Sequence, residues 1–145
     1  MKKHQAIASL LLRLALAAGF LSAVASRLSL WGSRSSGWKN FLTYTAEVNS
    51  FAPKSVIPSL AFTSTVLETL IAITLLVGYK TKLAALGATV LTLFFALAMS
   101  VSFGVKEPLD YSVFGVCTGA FLLSTMPCYR WSIDEKLSKI NRDKI

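Results

Sequence analysis

The chain has 145 residues, 54% of them hydrophobic and 15% charged, with a mean hydropathy of +0.59. An ordinary soluble domain carries about 25% charged residues, so a bilayer is the expected solvent, and the length accommodates one domain over 1–145. The formal charge of +8 does not mark a nucleic-acid partner, because the lysines and arginines lie at the termini and between apolar runs, where they flank a membrane.

The first apolar run covers about residues 5–28. Lys2-Lys3, the apolar stretch and Ala23-Val24-Ala25 imitate a secretory signal peptide, but the core is too long for one and Arg13 interrupts it. A span is therefore expected. Between it and the next run, the stretch from Gly37 to Phe51 carries Trp38, Phe41, Leu42, Val48 and Phe51, and reads as a short helix in the interface. Further runs cover about 56–77, 83–105 and 109–126, each near the roughly 20 residues that a span needs. Pro53, Pro58, Gly78, Pro108 and Pro127 punctuate them. After the fourth run, Ser132-Ile133-Asp134-Glu135 has capping-box form, and Ile133, Leu137 and Ile140 share a face opposite lysines. Residues 130–145 thus read as an amphipathic surface tail, cytoplasmic and touching anionic lipid or merely solvated.

Flanking charge sets the expected orientation. Lys2, Lys3, Lys80, Lys82, Arg130, Lys136, Lys139, Arg142 and Lys144 share one side, against Arg27, Arg34, Lys39, Lys54 and Lys106 on the other. The bias places both termini in the cytoplasm. Trp31, Trp38 and Tyr111 on one side and Tyr79, Tyr129 and Trp131 on the other fit aromatic belts. Ala15-x-x-x-Gly19, Ala84-x-x-x-Ala88 and Gly115-x-x-x-Gly119 offer close helix contacts; the last is either an intrachain seam or a homo-oligomer contact.

Few polar groups fall within the runs. Counting helix rise from the run ends puts Arg13 and Glu68 both roughly 12–14 Å deep, and an unpaired charge in hydrocarbon is expensive, so an Arg13–Glu68 pair is expected. Ser64 and Thr65 join Glu68 on one face, with hydroxyls that can satisfy its spare lone pairs. Such a pair is either a lock between two helices or a site for a ligand, quinone or proton. Asp110 at the start of the fourth run reads as a helix-terminal acid, or as an outer polar site with Lys106 and Trp38. No catalytic residue can be named. Cys117 and Cys128, eleven positions apart, would be separated by roughly 16 Å along a continuous helix and are not expected to pair. Without Cys-x-x-Cys, and with His4 the sole histidine, neither a dithiol centre nor a bis-His haem can be built from this chain alone, and no metal site is expected.

Several of these segments resemble the DoxX family of small four-span bacterial membrane proteins. They are Leu11-Leu12-Arg13-Leu14 with Gly19-Phe20, Glu68, and Gly78-Tyr79-Lys80-Thr81-Lys82-Leu83-Ala84-Ala85, the last resembling the family's turn between spans two and three. Pro108-Leu109-Asp110-Tyr111-Ser112 resembles the acidic start of span four in a bacterial branch. The resemblance implies family polar positions at Arg13, Glu68 and Asp110, residence in the bacterial inner membrane, and for some relatives service as the membrane subunit of a quinone-linked oxidoreductase with a soluble or membrane redox partner. The expectation is an all-α integral membrane four-helix bundle with short interfacial helices, acting as a membrane subunit or accessory of a redox system with a quinone as its only candidate cofactor. An assembly scaffold without chemistry of its own is the alternative, and a small transporter the third reading.

Overall fold

A computed structural model describes residues 3–142, with side chains through Ile140. Lys2 and Lys144, counted above as flanking cations, lie outside the described residues, as does the Arg142 side chain. The described chain forms seven α-helices: α1 (Lys3–Arg27), α2 (Gly37–Val48), α3 (Ile57–Val77), α4 (Thr81–Phe103), α5 (Lys106–Asp110), α6 (Val113–Ser124) and α7 (Ile133–Arg142). Among them, α1, α3 with the 3-10 turn before it, and α4 are long and apolar enough to cross a membrane.

The packing is sorted by side-chain size. Ala17, Ala61, Ala72, Ala85, Ala88, Ala96 and Ala120 are fully buried where helices meet, while Leu11, Phe62, Leu83, Phe94 and Val101 point outward. Small residues let helix backbones approach closely, and large apolar side chains facing out suit a lipid solvent. Several hydroxyls within the helices bond to their own preceding turn, as Thr69 does to Thr65 O at 2.7 Å and Thr92 to Ala88 O at 2.7 Å, which leaves these satisfied without water.

The turn between α3 and α4 depends on Gly78. Its φ of 70° is left-handed, and a Cβ there would lie 2.4 Å from Ser132 Cβ and 2.9 Å from Arg13 Nη1, so glycine is needed for both conformation and space. The first amides of α4 are capped from the far end of the sequence: Asp134 accepts from Lys80 N at 2.7 Å and Thr81 N at 2.8 Å. Ser132 and Glu135 close a capping box at the start of α7, with Glu135 N bonded to Ser132 Oγ at 3.1 Å and Trp131 N to Glu135 Oε2 at 2.9 Å. The expected tail helix is present as α7, and the stretch from Gly37 forms the short helix α2.

The expected fourth span is not one helix. Residues 109–126 divide into the end of α5 and the whole of α6, because Ser112 adopts φ 55° and interrupts the ladder. The twelve residues of α6 rise about 18 Å, short of a hydrocarbon core of about 30 Å. Cys117 Sγ lies 3.4 Å from Thr89 O, which sets α6 against the first half of α4. Tyr129 donates its hydroxyl to Leu123 O at 3.0 Å and so satisfies a carbonyl of α6's last turn. Burial, and secondarily Asp134, push the Tyr129 phenol above its usual range, which keeps it a donor.

Candidate functional site

The buried ion pair joins Glu68 to Arg27, not to Arg13. Arg27 Nη2 lies 3.0 Å from each Glu68 carboxylate oxygen, and Nη1 donates to Thr65 Oγ1 at 3.1 Å. The side chains are only 11% and 2% exposed. The guanidinium carbon also lies 3.8 Å from the centroid of the Phe41 ring on α2, a cation–π contact. Arg27 thereby ties α1, α2 and α3 together.

Register explains why the expected pairing fails. Arg13 lies beside Gly78 at the end of α3, and Arg27 beside Thr65 within it. The fourteen residues along α1 and the thirteen back along α3 both span about 20 Å, as antiparallel helices require. Arg13 therefore belongs at the turn end of the bundle, where its Nη2 donates to Trp131 O at 2.9 Å. Counting both depths from the ends of the apolar runs set α1 about ten residues out of register with α3. The omitted Arg27 had a signal in the sequence: Ala6, Ser9, Arg13, Ala17, Phe20 and Val24 form the buried stripe of α1, and Arg27 continues its three-to-four spacing.

Thr65 is part of the site; it accepts from Arg27 and donates to Ala61 O at 2.8 Å. Ser64 donates to Ala61 O at 3.0 Å and lines a different, apolar groove against α2 and α4. The expected outer trio is not assembled either. Lys106 and Asp110 form an exposed ion pair one turn apart along α5, whereas Trp38 packs on Phe41 with ring centroids 5.7 Å apart. Asp110 ends α5 and does not begin α6, so it does not serve the α6 amino terminus. Cys117 is buried and Cys128 exposed, both as free thiols.

Two cavities flank the Arg27–Glu68 pair. A half-open groove of about 570 Å³ between α1 and α6 has Arg27 and Glu68 at its polar end and Leu16, Gly19, Gly115 and Gly119 along its apolar walls. No group lies within 4 Å of where a Cβ on Gly19 would be, and one on Gly115 would meet only Ser112 Cβ, at 3.9 Å. The sequence motif around Gly115 and Gly119 therefore faces this groove, although Leu12 touches the Gly119 position at 3.5 Å. Ser112, the left-handed residue between α5 and α6, lines the same groove. A smaller cavity of about 190 Å³ lies beneath α2 and shares Arg27 and Phe95 with the groove. Arg27 carries five N–H donors, and its bonds to Thr65 and Glu68 use one on each terminal nitrogen. The arrangement offers a cationic donor and a carboxylate acceptor at the end of an apolar channel, which suits an amphiphile with a polar head.

The DoxX family profile matches residues 8–101, from α1 to the last turn of α4. The match includes Arg13, Arg27, Glu68 and the Gly78 turn, and stops short of α5, α6 and α7. No curated protein and no solved structure matches the chain. With more than half of its length covered by the profile, and with the apolar helices that an integral membrane protein requires, this chain belongs to the DoxX family.

Proposed function

We propose that this protein is a membrane subunit or accessory of a quinone-linked redox system, and that the groove between α1 and α6 receives the quinone. The observation that carries this reading is the buried Arg27–Glu68 pair at the polar end of an apolar groove. Its volume of about 570 Å³ lies within the few hundred to 1,000 Å³ typical of small-molecule sites. Arg27 would donate to a head-group carbonyl, Glu68 would hold the guanidinium in place, and the glycines on α1 and α6 would leave room for the ring and tail. A bound quinone would supply the electron acceptance, and a soluble or membrane partner the electrons. In this reading the protein resides in the bacterial inner membrane with both termini in the cytoplasm, supported by the cations gathered at the α3–α4 turn and along α7.

Binding of a fluorescent quinone analogue to the purified protein tests the site. Glu68→Gln should weaken it at least about tenfold, the loss of one charge-assisted contact. Gly119→Leu should block it by filling the groove. Unchanged binding in both variants overturns the assignment. The competing scaffold reading draws on the same contacts, since Arg27 links three helices. It requires that a folded Arg27→Met/Glu68→Leu protein retain full cellular activity; lost activity in that folded protein rejects it.

A further inference from the structure

At the opposite end of the bundle, a pocket of about 690 Å³ lies between the start of α4 and the segment that carries α7. Its lining includes the basic residues Lys80, Lys82, Arg130 and Lys139 and the apolar or aromatic residues Leu83, Pro127 and Tyr129. The two acids on its rim are already engaged. Asp134 caps the Lys80 and Thr81 amides, while Glu135 accepts from Trp131 N and pairs with Lys139 at 3.2 Å. Among the described residues Lys80, Lys82 and Arg130 have no ion-pair partner, although the Lys80 ammonium lies 5.7 Å from the Tyr79 ring and the Arg130 charge acts on Glu135 without a direct ion pair.

The geometry points to a binding site for a phosphate-bearing anion, supplied by the headgroup of an anionic membrane lipid. Three cations without an ion-pair partner match phosphate oxygens. The apolar part of the lining, Leu83 and Pro127, matches the glycerol and upper acyl carbons, which a free phosphate lacks. Position supports the same source: outward-facing Leu83 begins the apolar surface of α4 beside the basic rim, so the pocket opens where a lipid headgroup meets its chains. The site is independent of the groove at Arg27 and does not rest on the redox reading.

Native mass spectrometry of the full chain released from nanodiscs tests this, using phosphatidylglycerol and phosphatidylcholine as probes. The protein should retain phosphatidylglycerol preferentially. Lys80→Ala/Lys82→Ala/Arg130→Ala should lower that retention by about fivefold per charge removed. Lys39→Ala/Lys54→Ala, which removes charge from the other end, should leave it unchanged. Equal retention of the two lipids, or an equal loss in the two lysine variants, overturns the site. Displacement of the lipid by millimolar inorganic phosphate would assign the pocket to free phosphate and overturn the lipid source.

Discussion

At the residue scale, two arginines on one face of α1 serve different ends of the molecule. Arg27 is held by a carboxylate, a hydroxyl and an aromatic ring, and its pairing offsets the desolvation of Glu68. Arg13 is more deeply buried but bonds to a carbonyl, with its Nε unsatisfied among the described residues. Removing one partner of a buried pair exposes the other to the full desolvation penalty, whereas removing both with apolar replacements does not. Arg27→Met and Glu68→Leu should therefore each destabilise the protein by about 3–5 kcal/mol, and the double variant by much less than their sum. Arg13→Met and Glu68→Leu should combine additively, because they occupy separate contacts. Reversible unfolding in mixed micelles measures both cycles; coupling between Arg13 and Glu68 above about 0.5 kcal/mol would contradict the observed pairing.

At the element scale, helices are joined through caps borrowed from distant segments. Asp134 caps α4 from the start of α7, Tyr129 satisfies the end of α6, and Ser102 on α4 donates to Val48 O at the end of α2 at 2.7 Å. The start of α7 rests on Glu135, whose carboxyl is held below its ordinary range first by the Trp131 amide and then by Lys139. A depressed carboxyl pKa contributes stability above the unfolded-state value and loses it as pH falls through the folded-state value. The start of α7 should thus stay closed above the usual glutamate range near 4.3 and loosen below it. The backbone amide shift of Trp131 followed by NMR should report a transition below that range, absent in Glu135→Gln. An unchanged transition in the variant would assign it to another group. Capping-box form made this element readable from Ser132 and Glu135 alone. The break at Ser112 was not readable, because neither glycine nor proline occupies positions 111–112 and no residue there requires a left-handed conformation.

At the scale of the whole molecule, alanines line the closest helix contacts while many leucines and phenylalanines face outward, with a buried charge pair toward the α2 end and a basic pocket at the turn end. The proposed orientation puts that pocket and exposed Cys128 in the cytoplasm, so Cys128 of a Cys117→Ala protein should react with an impermeant maleimide in inverted vesicles and not in intact cells. Labelling in intact cells would reverse the orientation. By itself the sequence determined the membrane class, the three long helices to within a few residues, the short helix α2 and the amphipathic α7. Those features follow from apolar run length and local periodicity, which act over one or two helical turns. Tertiary structure alone decided that Glu68 meets Arg27, that Arg13 meets the carboxy-terminal segment, and that the fourth apolar run divides at Ser112. Each depends on how far one helix slides along another, and packing across the bundle sets that register because an apolar run in lipid has no sharp end from which depth can be counted.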